Sequence, residues 1–278
     1  MSSISSYETL VHALAGATGS VLGMAAFYPL DTLRSRQQVQ DDTKLQGSTW
    51  ETLVKLFNEE GVESLYRGLL PVLQSLSVSN FVYFYTFHSL RRSFMTSSNS
   101  ALADLMFGVL AGSVNVLITS PLWVVNTRMK LEKNVYPSLY RGLYEISKKE
   151  GAKGLWSGTL PSLLLVSNPA IQFMVYEFLK RRLVSKRTFN TLTAFLIGAI
   201  AKGIATTMTY PLQLVQSRLR AGASMKPLIK DVKRDPANLF RGLEAKLLQT
   251  IMTAALMFLI YEKIVRFTLT IMRVKIAK

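Results

Sequence analysis

Lys202 stands alone in an apolar stretch, with about 14 uncharged residues on either side. Charge at mid-membrane is costly, and a cation placed there usually lines a water-filled path. Snorkelling to the membrane surface is the competing reading, and the distance to either end disfavours it. Lys246 lies nearer the start of an apolar segment and fits either reading equally. Two cations in a bundle otherwise lined by Ser, Asn and Gln suit a phosphate-bearing anion. Catalysis is not indicated. The chain has no Walker-type glycine loop, no paired-histidine metal spacing and no nucleophile–base motif. Two histidines and no cysteine nearly exclude the common catalytic and zinc arrangements, and no disulfide can form.

The elements that must hold these lysines are membrane helices. Apolar residues make up 49% of the chain and fall in long runs without Asp, Glu, Lys or Arg, at 9–30, 68–90, 105–127 and 154–176. Each is at or above the roughly 20 residues that cross a bilayer core. Six helices follow, at about 8–39, 69–94, 102–131, 160–183, 191–219 and 243–270, with amphipathic surface segments at 50–60 and 139–149. The link between the fifth and sixth helices is the shortest and contains Pro227 and Pro236. Glycines spaced by three or four residues, such as Gly108 and Gly112, suit close helix packing in lipid.

The formal net charge of +16 invites a nucleic-acid reading. Its basic residues, however, cluster where apolar runs end, as at Arg91-Arg92 and Lys180-Arg181-Arg182, which places them among lipid headgroups. Part of the excess also suits attraction of an anionic solute. Met1-Ser2-Ser3-Ile4 carries no basic region ahead of the first apolar run, so neither a secretory signal nor an arginine-rich transit peptide is expected.

Two motifs recur in the same order. Tyr28-Pro29-Leu30-Asp31-Thr32-Leu33-Arg34-Ser35-Arg36 is echoed by Ser120-Pro121-Leu122 through Arg128 and by Tyr210-Pro211-Leu212 through Arg218. Behind it, Glu60-Gly61 with Tyr66-Arg67-Gly68 answers to Glu150-Gly151 with Trp156-Ser157-Gly158, and Phe240-Arg241-Gly242 is a shortened third copy. An internal period of about 90 residues means a repeat architecture. This pattern resembles the mitochondrial carrier family, with its Pro-x-acid-x-x-base signature followed by an aromatic and a glycine. The resemblance implies an all-α membrane protein: a single domain over 1–278, with six transmembrane helices in three repeated hairpins around a pseudo-threefold axis. The repeats would span about 7–97, 98–188 and 189–278.

In that family, acid–base pairs at the ends of the odd helices close an inner gate. Here only Asp31 and Arg34 keep their charges, while Trp123, Asn126, Gln213 and Gln216 fill the other positions. Carried over, the geometry sets Asp31 against Asn126, Trp123 against Gln216 and Gln213 against Arg34, a weaker gate unless Trp123 plugs it. Arg36, Arg128 and Arg218 are retained in all three repeats and suit helix C-termini and lipid phosphate better than solute. The outer gate would use Glu177 with Lys180, Glu262, and His88 with Arg91. His88 suits either a titrating group or a plain interfacial polar residue.

Family solute contacts fall on Ser75, Leu165 with Val166, and Gln249. None is charged, which disfavours dicarboxylates and amino acids. Asn80, Tyr83, Asn168 and Gln172 lie around them and can hydrogen-bond a base edge or stack on a ring. Asn168-Pro169 equally suits a structural kink. Further segments, among them Ala170-Ile171-Gln172-Phe173-Met174-Val175-Tyr176-Glu177, look like the nucleotide-and-cofactor branch, and others most like its peroxisomal member. The resemblance implies counter-exchange of CoA, FAD, NAD and adenine nucleotides as solutes, not as bound cofactors, in the peroxisomal membrane. The mitochondrial inner membrane, with folate, FAD or a nucleotide as solute, and a non-transporting scaffold are the alternatives. Partners would be small anionic solutes and membrane lipids, without nucleic acid, in a monomer; peroxisomal membrane-protein import factors are a further class.

Overall fold

A computed structural model describes residues 21–39, 47–94, 101–131, 135–183, 191–225 and 235–271. Residues 21–26 are helical and lead through a turn at 27 into α1 (Tyr28–Val39). There follow α2 (Thr49–Leu65), α3 (Leu69–Phe94), α4 (Ala101–Leu131), α5 (Leu139–Leu155), α6 (Thr159–Leu165), α7 (Asn168–Leu183), α8 (Thr191–Arg220), a 3-10 turn (Pro236–Phe240) and α9 (Leu243–Ile271). The early part of the first expected helix lies outside the described residues. The fourth expected helix is α6 and α7, separated at Val166-Ser167, where N–H groups bond three residues back (Val166 to the Leu163 carbonyl, 3.2 Å) just before Pro169.

The helices are inside-out relative to a water-soluble core. On α8 the stripe Leu196, Ile200, Ile204 and Met208 is exposed, while Ala201, Ala205, Thr206 and Thr209 are buried. The helix from Ala103 to Leu131 has the length and hydropathy to span a bilayer, yet only 22% of its most apolar window is buried. Apolar surface facing outward is what lipid demands, since association in lipid runs on close packing and internal hydrogen bonds. Small residues permit that approach: a Cβ on Gly112 would lie 2.7 Å from Val166 Cγ1, and one on Gly108 3.4 Å from the Tyr83 hydroxyl.

The threefold repeat is visible in the backbone. Gly68, Gly158 and Gly242, each opening an even-numbered spanning helix, have φ of 79°, 78° and 77°, and Gly61 and Gly151 break α2 and α5 at 77° and 71°. Such φ values favour glycine, which lacks the clash of a Cβ. Each hinge glycine also abuts the next odd helix: Gly68 meets Lys130, Gly158 meets the Gln216 carbonyl, and Gly242 meets the Arg34 carbonyl. The ring thus closes in the order first repeat on second, second on third, third on first. Aromatic stacking repeats as well, Tyr28 on Tyr66 at 6.2 Å and Tyr210 on Phe240 at 6.5 Å. The hydroxyls of Tyr28 and Tyr210 donate to the carbonyls of Arg67 and Arg241 at 3.0 and 2.7 Å. In the second repeat, Pro121 deprives the Leu117 carbonyl of its helical donor. Trp156 Nε1 donates there instead, at 2.9 Å.

Candidate functional site

At their proline-bearing ends α1, α4 and α8 all touch one another, so this end of the bundle is closed. Asp31, buried there, takes its hydrogen bond from Lys130 Nζ on α4, and Arg34 Nη1 stands 3.5 Å from its other oxygen. This corrects the expected partnership of Asp31 with Asn126. Lys130 lies one helical turn beyond Asn126 on the same face, and its long stem carries a full charge to the carboxylate. Asn126 Nδ2 donates to Ser75 Oγ at 2.7 Å. Gln213, expected against Arg34, donates to Thr209 Oγ1 of its own helix at 3.1 Å. Gln216 Nε2 donates to Ser162 Oγ at 2.7 Å, and the guanidinium of Arg220 sits 5.9 Å from the Trp123 ring centroid. Lys130 and Arg220 escaped the sequence reading because they fall outside the Pro-x-acid-x-x-base positions. Both follow their proline by nine residues, a shared offset that could have marked them.

The retained arginines also differ from expectation. Arg36 and Arg128 are buried in ion pairs, with Glu60 at 2.7 Å and with Glu150 through two parallel bonds. A guanidinium matched to one carboxylate by paired donors is held more firmly than by a lipid headgroup. The hydrogen bond from Arg36 holds the Glu60 carboxyl below the usual carboxylate range, and that from Arg128 does the same for Glu150. The third copy has lost its glutamate, and Arg218 Nε donates to the Gln38 carbonyl at 2.7 Å.

Behind the closed end lies a cavity of about 400 Å³ between α3, α4, α6, α7 and α8. Tyr83, Leu165 and Val166 line it, with Trp123 and Gln216 at its closed end and Asn115 and Thr119 along its wall. Ser75 and Gln249 are buried, Ser75 against Asn126 and Gln249 accepting from Lys246 Nζ at 3.3 Å. Lys246 is within electrostatic reach of Asp31, Arg34, Lys130 and Lys202. Lys202 is half-buried and has no hydrogen-bond or ion-pair partner among the described residues. Asn168 Nδ2 donates to Thr209 Oγ1 at 2.8 Å and its Oδ1 is buried without a partner among the described residues, whereas Gln172 is half-buried on α7. Asn80 does not join this group. It is exposed in a separate groove with Phe84, Tyr85, His88 and Arg92. One residue round the helix from Ser79 is a rotation of roughly 100°, and Ser79 is the one that faces α4, paired with Asn115 at 2.9 Å.

At the opposite end, Arg91 Nε pairs with Asp104 across α3 and α4 at 3.3 Å. Asp104 was not anticipated. His88 packs edge-on against Phe87 at 5.6 Å. Glu177 pairs with Lys180 at 3.8 Å and with Arg181 at 3.7 Å, both on its own helix, so these contacts link no repeats. The side chain of Glu262 lies outside those described.

Three hairpins closed at one end around a polar, cationic interior define a solute carrier of the membrane. The family described as "Mitochondrial carrier protein" matches residues 5–98, 97–187 and 187–271, and the chain belongs to that family. Among curated relatives, the mouse "Peroxisomal membrane protein PMP34" is 50% identical, the match covering 99% of this chain and 98% of that protein. The Arabidopsis thaliana "Peroxisomal nicotinamide adenine dinucleotide carrier" is 32% identical over 93% of this chain and 96% of its own length. The Glycine max "Peroxisomal adenine nucleotide carrier 1" is also 32% identical, over 92% and 91%.

Proposed function

We propose that this carrier exchanges adenine-containing cofactors and nucleotides (CoA, FAD, NAD, AMP, ADP and ATP) across the peroxisomal membrane by alternating access. The observation that carries the reading is a charge imbalance in the bundle interior: Lys246 lies within electrostatic reach of three further cations, Arg34, Lys130 and Lys202, and of one carboxylate, Asp31. An interior so cationic is costly in a bilayer unless an anion visits it. Phosphates neutralise it, while the Tyr83, Leu165 and Val166 side of the cavity suits an uncharged ring system. The names borne by the mouse, Arabidopsis and soybean relatives support both the solute class and the membrane.

Counter-exchange in liposomes tests this reading. Purified protein is reconstituted with internal AMP and offered labelled CoA, FAD, NAD, ATP and folate outside. Uptake of the adenine-containing solutes that requires internal nucleotide is expected. No uptake from demonstrably folded protein would replace the carrier reading with a membrane scaffold. Lys202→Ala should raise the apparent Km for phosphorylated solutes about tenfold, the equivalent of ~1.4 kcal/mol, and an unchanged Km would remove Lys202 from the site. A tagged copy found in mitochondria would overturn the assigned membrane.

A further inference from the structure

The second repeat carries an amide where the other two carry small residues. Six positions before each proline stand Gly23, Asn115 and Ala205, and eleven positions after each hinge glycine stand Ser79, Pro169 and Thr253. These positions meet across helices. A Cβ on Gly23 would lie 3.2 Å from Thr253 Cγ2, and Asn115 on α4 meets Ser79 on α3. Close packing of two helices in lipid asks only for a small residue there. Asn115 exceeds what packing needs, and it does so on the wall of the cavity.

Its hydrogen-bond capacity is only half used. Ser79 Oγ lies 2.9 Å from Nδ2 and 3.0 Å from Oδ1 of Asn115, so the contact holds whichever way round the amide stands. An asparagine amide has two N–H donors, and among the described residues one of them is taken, by Ser79. Neighbouring hydroxyls on the wall are already committed. Thr119 donates to the main-chain carbonyl of Asn115 at 2.8 Å, and Ser162 donates to the Gly158 carbonyl at 2.6 Å while accepting from Gln216 and Arg220. We propose that Asn115 is a specificity-determining residue whose remaining N–H donates to a ring nitrogen of the solute's adenine. The surroundings suit a planar ring. Asn115 lies one helical turn from Gly112 and one from Thr119 on the cavity face of α4. Val166 closes over Gly112, where a Cβ would lie 2.7 Å from it, and Tyr83, one turn from Ser79 on α3, supplies an aromatic side. Lys202 and Lys246, assigned to phosphate, lie off this wall on α8 and α9. An uncharged donor on α4 therefore answers to the uncharged part of the solute.

This assignment rests on the exchange activity proposed above and names the residue of that site that reads the base. The test uses the full chain in liposomes loaded with AMP, with labelled ATP offered outside. Competitors are AMP, ribose 5-phosphate, and the AMP analogues in which N1, N3 or N7 is replaced by C–H. In the parent, one of the three analogues is expected to compete about tenfold more weakly than AMP, equivalent to ~1.4 kcal/mol, because it leaves the Asn115 donor facing a C–H. Asn115→Ala gives the position the side chain of its third-repeat counterpart, Ala205. It should accept AMP and that analogue equally, with competition by ribose 5-phosphate unchanged. Ser79→Ala breaks the contact between helices and keeps the amide, so it should retain the preference for AMP. The same ranking should appear in thermal stabilisation of the detergent-purified protein by each compound, a readout that does not need transport. Persistence of the preference in Asn115→Ala would overturn the assignment, and so would its equal loss in Ser79→Ala, which would reduce the pair to helix packing. Equal weakening of AMP and ribose 5-phosphate in Asn115→Ala would do the same. A parent that exchanges nucleotides without distinguishing the three analogues sinks this assignment alone, whereas a parent that exchanges no adenine-containing solute sinks the proposed function with it.

Discussion

Replacing Glu150 by Gln isolates one term in the stability of the repeat. The side chain of Arg128 is 6% exposed and that of Glu150 40%, so the substitution leaves a nearly buried guanidinium facing a neutral amide. Breaking a fully buried pair costs about 3–5 kcal/mol, and an exposed pair contributes about 0.2–1 kcal/mol. The half-open carboxylate sets the expected loss between them, at about 2 kcal/mol. Arg128 keeps other partners, since its Nε donates to the Arg220 carbonyl at 3.2 Å and it hydrogen-bonds the Tyr136 hydroxyl, which limits the loss. For a chain of this size that is roughly a 4–8 °C fall in Tm, read by thermal unfolding in detergent. Glu145→Gln is the control, because among the described residues Glu145 pairs with Arg141 alone, 63% exposed on the same helix. Its shift should stay within about 2 °C, since such pairs contribute roughly 0.3–0.5 kcal/mol. Equal shifts for Glu150→Gln and Glu145→Gln would refute the reasoning. The pair also fixes a pH dependence. The folded-state carboxyl of Glu150 is held low by Arg128, so its contribution is complete above the unfolded glutamate value of about 4.3 and disappears as pH falls below it. The gap in Tm between the parent and Glu150→Gln should therefore close on acidification below that value and stay constant above it.

Three further substitutions test the local reading. Gly158→Ala should cost more than Gly61→Ala although both have positive φ, because a Cβ at Gly158 would lie 3.0 Å from the Gln216 carbonyl while one at Gly61 meets nothing. The shared strain is about 1–2 kcal/mol, and thermal unfolding should show the difference as a larger Tm loss for Gly158→Ala. Trp156→Phe removes the donor that serves the Leu117 carbonyl exposed by Pro121 and should cost about 1–2 kcal/mol; a Tm unchanged from the parent would show that the carbonyl finds another donor.

Much of the architecture is written locally and could be read from one sequence. Charge-free runs longer than a bilayer crossing, and two motifs returning every 90 residues or so, specify six helices in three hairpins, because hydropathy and period act before any tertiary contact exists. The hinge glycines belong to the same class: Gly68, Gly158 and Gly242 share one φ because each repeat turns the same corner. The seams were decided only by the tertiary structure. Nothing near Asp31 in the chain announces Lys130, 99 residues away, and the charged position that reached it lies a helical turn past the position expected to do so. Arg128 looked like a lipid-facing cation until the fold brought Glu150 against it, and Asn80 looked like a solute ligand until helix rotation turned it into a separate groove. Periodicity tells which residues share a helix face, but the register of one helix end against another is set by packing among all three repeats, and that register chooses which charge meets which.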